Sequence, residues 1–274
     1  MKQLTVIDHL VSKSSFDLVL DKESTALKTT PELTESELQK YYPKTGYASH
    51  QIEANSLRSK IYARIKRINI RTKHNWIRQY ATKGHMLDYG TGNGDFVLAA
   101  QHQGWHVEVY ETSQNALDIL KQRQLSVVAK PLQANHYDVI TLWHVFEHIN
   151  DPKEALDSFF SALKPGGVLV LAVPNADSWD AKHYKSFWAA YDVPRHRWHY
   201  NKYAITFLGR HARFELLSTK NMYWDAFYIA LLSEKYRNAK APWLKALCKG
   251  LFANLKGSGT TNTSSLAFFL QKPK

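Results

Sequence analysis

Short apolar runs alternate with stretches of helical periodicity from residue 85 to the end of the chain. The apolar runs expected to form strands cover residues 86–89, 106–110, 139–142, 168–173, 214–218 and 264–270. Two of the stretches between them, 115–123 and 152–163, have the spacing of amphipathic helices. Strands that alternate with helices predict a parallel sheet with helices on both of its faces. The pattern therefore predicts an α/β fold.

The first 80 residues follow a different pattern, with little sign of strands. An amphipathic helix is indicated by apolar residues at steps of four and three, namely Leu57, Ile61, Ile65 and Ile68. A second helical segment is predicted around residues 76–80. We therefore predict two regions: an N-terminal helical cap over residues 1–80 and the main domain over residues 81–274.

A glycine-rich loop directly follows the first apolar run of the main domain. The chain reads GHMLDYGTGNGD from residue 84, so Asp88 ends the strand and glycines follow at 90, 92 and 94. Glycine tolerates backbone angles with φ > 0 and lets a ligand lie against the main chain. A second acid, Glu111, ends the next apolar run 17 residues after Gly94. Ligands of open α/β sheets bind beyond the carboxyl ends of the strands, where such an acid holds a ribose. The loop thus predicts a nucleoside-containing cofactor.

The residue after the last glycine discriminates between cofactors. The dinucleotide fingerprint G-x-G-x-x-G requires glycine at position 95, where this chain has Asp95. A pyrophosphate would sit on the N-terminus of the following helix, and a carboxylate there would repel it. This disfavours an NAD-dependent oxidoreductase, and the absence of G-K-[ST] excludes a P-loop. A cofactor with a cationic centre and no phosphate, such as S-adenosylmethionine, meets no such objection.

The order of five motifs resembles that of the class I S-adenosylmethionine-dependent methyltransferases. The motifs are LDYGTGNG (87–94), VYETS (109–113), YDVITLWHVFEHI (137–149), LKPGGVLVLAVPN (163–175) and YDVPRHRWHY (191–200). The resemblance is closest to the branch that includes the quinone-biosynthesis O-methyltransferases and many small-molecule methyltransferases. It implies a Rossmann-like, seven-stranded, mostly parallel sheet.

The same resemblance implies roles for individual residues. Asp88 and the glycines Gly90, Gly92 and Gly94 would contact the amino-acid end of S-adenosylmethionine. Glu111, together with the adjacent Thr112 and Ser113, would take the ribose hydroxyls, and His144 would lie near the methionine portion. The adenine would lie near residues 130–133, where no residue can be assigned.

Two further motifs carry groups suited to the acceptor side. In WHVFEH (143–148), the spacing His144-x-x-Glu147-His148 matches an inverted zinc-protease motif, but that motif requires a long helix and this one follows a strand. Glu147 and His148 remain open as general base, metal ligands or loop anchors, and we predict no metal site.

The segment YDVPRHRWHY (191–200) combines charged and aromatic residues within ten positions. Loops that a rigid sheet positions commonly carry binding groups, and an aromatic wall with Arg and His suits a flat acidic or phenolic substrate. The alternative is an Arg–Asp pair and buried rings that close the domain. The candidate substrate contacts are Glu147, Tyr191, Asp192, Arg195 and Trp198. The candidate bases are His148 first, then His196 or His199, because the unperturbed histidine pKa of about 6.5 suits proton transfer.

The formal charge of +12 raises the alternative of an RNA methyltransferase that acts on ribose or a ring nitrogen. Basic residues are concentrated in a stretch with no acid between positions 54 and 87, namely Arg58, Lys60, Arg64, Lys66, Arg67, Arg71, Lys73 and Arg78. Amino-group methylation of bases is disfavoured because the chain has no Pro-Pro, and Cys248 lies far from the cofactor motifs.

Composition places few other limits on function. No apolar run approaches the ~18 residues of a membrane span, and the start of the chain is a poor signal peptide. The single cysteine fits a reducing cytoplasm. We predict an S-adenosylmethionine-dependent methyltransferase of a small-molecule acceptor, with oxygen favoured as the acceptor atom. The alternatives are the RNA methyltransferase and a non-catalytic cofactor-binding module, and the oligomeric state stays open.

Overall fold

The computed structural model describes residues 2–42 and 57–274, without the side chains of residues 2 and 57–62. The strands are β1 (Lys2–Ile7), β2 (Ser15–Leu20), β3 (Leu27–Thr30), β4 (His85–Tyr89), β5 (His106–Tyr110), β6 (Ser126–Val127), β7 (Tyr137–Trp143), β8 (Leu163–Pro174), β9 (Trp198–His199), β10 (Glu215–Asn221) and β11 (Ser265–Gln271). The helices are α1 (Glu35–Leu38), α2 (Leu57–Ile77), α3 (Asp95–Gln101), α4 (Gln114–Gln122), α5 (Pro152–Ala162), α6 (Trp179–Tyr184), α7 (Lys202–His211), α8 (Asp225–Tyr236) and α9 (Pro242–Ser258).

The main sheet has seven strands in the order β10-β11-β8-β7-β4-β5-β6. The strands from β8 to β6 pair in parallel, whereas β11 runs antiparallel to both β8 and β10. The predicted seven-stranded, mostly parallel sheet is therefore confirmed. Since β4, β5, β7 and β8 point the same way, their carboxyl ends lie at one edge of the sheet.

Helices cover both faces of this sheet, as the sequence pattern predicts. On one face, Phe159 of α5 and Leu208 of α7 pack with Phe268 of β11. On the other face, Phe269 of the same strand packs with Phe96 of α3 and with the neighbouring α2 and α4. Successive side chains of β11 thus enter opposite cores, because side chains alternate along a strand.

The prediction of a helical cap over residues 1–80 is wrong for residues 2–30. These residues form β1, β2 and β3, which continue with β9 into a four-stranded antiparallel sheet. In β2, Phe16 and Leu18 are buried between less buried neighbours, which is the period-2 pattern of a half-buried strand. The helical prediction is correct for α2, a single helix that includes the two predicted helical segments up to Ile77. The rest of the predicted cap at residues 1 and 43–56 lies outside the described residues.

A pair of helices, α8 and α9, is inserted between β10 and β11. Because β10 runs parallel to β8, the pair follows the carboxyl end of β10 and stands at the same edge as the glycine loop. Within the described residues, no helix is long and apolar enough to cross a membrane.

Candidate active site

The glycine loop lies at the carboxyl end of β4 and takes conformations that favour glycine. Gly90 has φ +74° and donates its N–H to the Tyr110 carbonyl at 2.7 Å. A Cβ at this position would lie 2.5 Å from a methyl carbon of Val145, so only glycine fits. Gly92 has φ +57°, yet a Cβ there would meet no atom of the described residues within 4 Å. The space beside the Cα of Gly90 is therefore filled by protein, whereas the space beside the Cα of Gly92 is free of described atoms.

Glu111 connects this loop to the end of β5. Its Oε2 accepts the N–H of Gly92 at 2.8 Å, and its Oε1 accepts the N–H groups of Thr112 and Ser113 at 2.7 and 2.9 Å. A carboxylate has about four lone-pair positions, so these bonds leave room for a hydroxyl donor at Oε2. The geometry fits the predicted contact between Glu111 and a ribose.

Asp88 is buried at the end of β4, beneath the loop. It accepts a hydrogen bond of 2.5 Å from Thr141 Oγ1 on the neighbouring strand β7. Burial raises the pKa of Asp88 to about 6, although the hydroxyls of Thr141 and Thr91 and the charge of Lys73 oppose this rise. The protonation state of this carboxyl therefore changes close to neutral pH.

The side chain of Lys73 on α2 reaches the region of Asp88. The sequence reasoning did not identify Lys73 as a residue of the site. Its ammonium lies 4.2 Å from the centre of the Trp143 ring, at the end of β7. Burial lowers the pKa of Lys73, while the charges of Asp225 and Asp88 act against this shift. The only available signal was its membership of the basic stretch that we associated with RNA.

These groups fit S-adenosylmethionine. The amino-acid end of this cofactor carries a carboxylate and an ammonium, and Lys73 and Asp88 offer one charge of each sign. Asp95, which disfavours a pyrophosphate, begins α3 and forms ion pairs of 2.5 Å with Lys66 and 3.0 Å with Arg123. The open face of Gly92 provides a place where a ligand can approach the main chain.

His144 follows β7 with φ +60° and lies between two carboxylates. Its Nε2 is 2.9 Å from Asp225 Oδ2, and its Nδ1 is 3.5 Å from Glu147 Oε1. Burial disfavours the charged imidazole, but Asp225 and Glu147 outweigh this effect and raise the pKa of His144 to about 10. His144 is therefore an imidazolium at neutral pH and has no lone pair to accept a proton. Asp225, at the start of α8, is a second residue that the sequence reasoning missed.

Glu147, His148 and His196 form a cluster that joins the two predicted acceptor-side motifs. One ligand atom from each lies within 4.8 Å of the others. His148 Nδ1 donates to the Arg195 carbonyl and His196 Nδ1 donates to the Ala190 carbonyl, each at 2.9 Å. A carbonyl only accepts, so both Nδ1 atoms carry the proton and both Nε2 atoms offer a lone pair when the rings are neutral.

The electrostatics of this cluster favour a neutral His196 beside a charged Glu147. Burial and the neighbouring His148 lower the pKa of His196 to about 4. Burial acts to raise the pKa of Glu147, but His144 and the other surrounding histidines hold it below its ordinary value. Glu147 is 1% exposed, and neither carboxylate oxygen has a hydrogen-bond partner within the described part of the chain. Such a cluster can accept a proton or hold a divalent cation, which two imidazoles and a carboxylate commonly ligate.

Arg195 and Asp192, two of the predicted substrate contacts, are instead tied into a buried ion-pair network. Arg195 donates to both carboxylate oxygens of Asp192, at 3.0 and 2.7 Å, and to Asp8 Oδ1 at 2.9 Å. It also donates to the Tyr41 carbonyl at 2.6 Å. The geometry therefore favours the structural alternative for this pair, which attaches the N-terminal sheet to the segment 191–200.

The other residues of the segment 191–200 contact neighbouring parts of the protein. Tyr191 is buried and packs edge-on against His199. Thr29 Oγ1 donates its proton to the His196 carbonyl, so at 2.9 Å it can only accept from His199 Nε2. Burial also holds the pKa of His199 well below its ordinary value. Trp198 donates its indole N–H to the Asn150 carbonyl at 3.1 Å. The structure therefore brings His196 to Glu147 and His148, but places His199 behind it against β3.

Comparisons with known proteins show which family and which relatives this chain resembles. A family model described as a methyltransferase domain matches residues 63–219. A ubiquinone biosynthesis O-methyltransferase of Coxiella burnetii is 29% identical over 110 residues, which cover 36% of this chain and 47% of the relative. A protein of the same name from Psychrobacter arcticus is 28% identical over 151 residues, which cover 49% of this chain and 59% of the relative. The chain thus spans about half the length of the curated relatives it matches.

Solved structures share the fold at low sequence identity. An S-adenosylmethionine-dependent methyltransferase of Thermotoga maritima has a TM-score of 0.53 and 16% identity, over 78% of this chain and 96% of its own. Another, from Archaeoglobus fulgidus, has a TM-score of 0.50 and 16% identity, over 76% of this chain and 94% of its own. At these identities the likeness shows the fold alone.

The family match covers more than half of the 274 residues and includes the glycine loop, Glu111 and the segment that ends at His148. The seven-stranded sheet and the groups at its carboxyl edge fit the cofactor of this family. The chain therefore belongs to the methyltransferase-domain family.

Proposed function

We propose that this enzyme transfers a methyl group to an oxygen atom of a small-molecule acceptor. The observation that carries the proposal is the cluster of Glu147, His148 and His196, in which two imidazoles with their Nδ1 protons bound to carbonyls lie beside a buried carboxylate that also pairs with His144 at 3.5 Å. A hydroxyl acceptor must lose its proton when it is methylated, and this cluster is suited to receive one. The name of the curated relatives, O-methyltransferase, supports the same acceptor atom.

In this proposal the cofactor supplies an electrophilic methyl group. The side chains bind the cofactor and the acceptor, orient them, and remove the proton from the acceptor. Asp88, Gly90, Gly92, Gly94, Glu111, Thr112, Ser113 and His144 keep their proposed cofactor contacts, and Lys73 joins them at the amino-acid end. His148 Nε2 takes the acceptor proton, and the negative charge of Glu147 stabilises the imidazolium that forms. A positioned base contributes about 10²–10⁴-fold to the rate.

A divalent cation is a second way to use the same three side chains. Both rings donate their Nδ1–H to backbone carbonyls, an arrangement that fixes the tautomer and orientation of metal-ligating histidines. A bound cation would lower the pKa of the acceptor hydroxyl, so that solvent water could take the proton in place of a histidine base. The metal content of the purified protein therefore distinguishes the two routes.

The basic stretch gives the RNA alternative less support than its charge suggests. Among its described side chains, Lys66 pairs with Asp95 and Lys73 lies over Trp143. The side chains of Arg58 and Lys60 lie outside the described residues. We therefore place a small hydroxylated molecule ahead of RNA, and we propose that the enzyme works in the reducing cytoplasm.

The test compares His148→Gln and His196→Gln with His211→Gln, an exposed control on α7. Calorimetric titration with S-adenosylhomocysteine measures cofactor binding, and mass spectrometry measures methylation of a panel of phenols and hydroxylated acids. We expect unchanged cofactor affinity and about 10²–10⁴-fold slower methyl transfer in at least His148→Gln, with the control unaffected.

The remaining arms separate the alternatives. Stoichiometric metal in the purified enzyme, lost from both cluster variants, would identify the cation route, and its absence would leave His148 as the base. Wild-type turnover in both cluster variants would contradict the proposed role of the cluster. Methylation of transfer RNA in place of every small acceptor would favour the RNA alternative.

A further inference from the structure

Helix α9 packs onto the protein through its smallest residues. The buried positions are Ala246, Gly250, Ala253 and Gly257, which recur at steps of four and three along one face. A Cβ on Gly250 would lie 2.6 Å from the ring of Phe227 on α8, so the two helices approach closely here. The face that an amphipathic helix normally fills with large apolar residues is therefore made of Ala and Gly.

The large apolar residues of α9 point outward instead. Trp243, Leu247, Leu251 and Leu255 follow one another at four-residue steps, and the first and last are 67% and 75% exposed. More than half of the large exposed apolar residues of the described chain lie between residues 223 and 255. They form what we term the apolar face: Tyr223, Trp224, Tyr228, Trp243, Leu244, Leu247, Leu251, Phe252 and Leu255. A continuous exposed patch of this kind marks an interaction surface.

The part of the chain that carries α9 is strongly basic. Between Glu234 and the end of α9 the chain has no acidic residue and six cations, namely Lys235, Arg237, Lys240, Lys245, Lys249 and Lys256. Three of these lysines, at 245, 249 and 256, lie on α9 itself, on a different side of the helix from the apolar row. A helix with Leu, Trp and Phe on one side and Lys on its polar side has the composition of helices that lie in a membrane interface.

The apolar face stands near the opening of the active site. Phe252 of α9 packs edge-on against Trp179, which begins α6 after the carboxyl end of β8. Asp225, at the start of α8, pairs with His144. A surface that docks through α9 would therefore meet the same edge of the sheet as the cofactor loop.

We propose that the apolar face docks the enzyme onto an anionic membrane surface, with α9 lying in the plane of the interface. At 17 residues, α9 would sit at the headgroup boundary without crossing the bilayer. The lysines meet the negative headgroups while the leucines and Trp243 enter the acyl region. This proposal does not depend on which molecule accepts the methyl group.

Charge distinguishes an anionic membrane from the two other partners that the apolar face could bind, a second copy of the chain and nucleic acid. In a symmetric dimer the same patch would face itself, so the cations of both copies would repel one another across the interface. Nucleic acid would satisfy the lysines, but phosphate contacts would leave the leucines exposed to water. An anionic membrane matches both the apolar and the cationic parts.

The test is sedimentation of the full-length protein with vesicles of phosphatidylcholine, alone or mixed with phosphatidylglycerol. The variant is Leu247→Ser/Leu251→Ser/Leu255→Ser, and the matched control is Tyr203→Ser/Leu217→Ser, which removes exposed apolar residues elsewhere. We expect binding to the anionic vesicles that falls at least tenfold in the α9 variant and less than twofold in the control. Replacing Lys245, Lys249 and Lys256 by Gln should weaken binding to anionic vesicles only.

Two further measurements keep the outcome clear. The thermal unfolding midpoint and the affinity for S-adenosylhomocysteine should stay unchanged in the α9 variant, because the substituted side chains are exposed. Failure of the wild type to bind anionic vesicles would overturn the proposal. It would also be overturned if the α9 variant bound as well as the wild type. A wild-type dimer that the α9 substitutions convert to a monomer, without any vesicle binding, would show that the occupant is a second copy.

Discussion

Substitution of Gly92 by alanine should have two separable effects. The strained loop conformation should lower the free energy of unfolding, and the added methyl group should lower the affinity for the cofactor. Gly92 has φ +57°, and the left-handed region costs an L-residue about 1–2 kcal/mol. Alanine also restricts the unfolded chain, which returns about 0.4–1 kcal/mol of stability. Because a Cβ would meet no atom within 4 Å in the part of the chain that the structure describes, we add no steric penalty. We therefore expect Gly92→Ala to lower the free energy of unfolding by only about 1 kcal/mol.

The same substitution should weaken cofactor binding strongly. If the cofactor lies against the open side of the loop, the new methyl group occupies its space. We expect the affinity for S-adenosylhomocysteine to fall at least tenfold, which corresponds to about 1.4 kcal/mol. Gly90→Ala has the same backbone cost, and its Cβ would also lie 2.5 Å from Val145. Overpacking of this kind adds about 1–3 kcal/mol, so Gly90→Ala should be clearly the less stable variant.

Urea unfolding and calorimetric titration measure the two effects on the same samples. Gly259→Ala provides the control, since it also meets no atom within 4 Å but lacks a positive φ, and it lies at the end of α9. Wild-type affinity in Gly92→Ala would refute the placement of the cofactor on this loop. An equal loss of stability in Gly90→Ala and Gly92→Ala would refute the steric argument at Val145.

Three other predictions concern buried charges. Since burial raises the folded-state pKa of Asp88 from 3.8 to about 6, the group stabilises the fold fully below pH 3.8 and loses this contribution as the pH rises through 6. Asp88→Asn should therefore gain stability over the wild type between pH 4 and 7, by at most ~3 kcal/mol, in urea unfolding, and a constant difference would contradict this. Arg195→Met leaves Asp8 and Asp192 without their guanidinium and should cost about 3–5 kcal/mol in the same assay, so a loss below 1 kcal/mol would count against the network. Asp225→Asn should lower the pKa of His144 from about 10 towards 6.5, visible as a shifted NMR titration of the ring, whereas an unchanged titration would assign the rise to Glu147.

The sequence predicted the parts of the site whose signals are local. The spacing of Gly90, Gly92 and Gly94 and the acid at Glu111 form a motif within 22 residues, and the structure brings them together by the hydrogen bond from Gly92 to Glu111. Two segments, WHVFEH and YDVPRHRWHY, were proposed separately, and contact between them required only that both follow neighbouring strands. The hydrophobic pattern indicated the strands that these segments follow, and the sheet order of the structure makes β7 and β8 neighbours.

The remaining parts depend on pairs that are distant along the chain. Asp225 is 81 residues from His144, and Asp8 is 187 residues from Arg195, so no local pattern indicated either ion pair. The role of Arg195 could not be decided from sequence, because a buried structural arginine and a substrate-binding arginine read alike. The N-terminal strands carried only a weak signal, since Phe16 and Leu18 flank Asp17 but are followed by the apolar Val19 and Leu20. This short alternation was outweighed by the longer helical pattern of α2.

The pairing of β3 with β9 has a consequence for how the enzyme is made. Thr29 and its partner His199 are 170 positions apart, so the N-terminal strands leave the ribosome long before the strand that completes their sheet. The cofactor loop and Glu111 are synthesised in the interval, ahead of His196 and the segment that carries it. Pairings between distant segments form late, because the long intervening chain must first be ordered. In the proposed mechanism, the growing chain thus acquires the residues proposed to bind the methyl donor before β3 and β9 have paired to hold the residues proposed for the acceptor side.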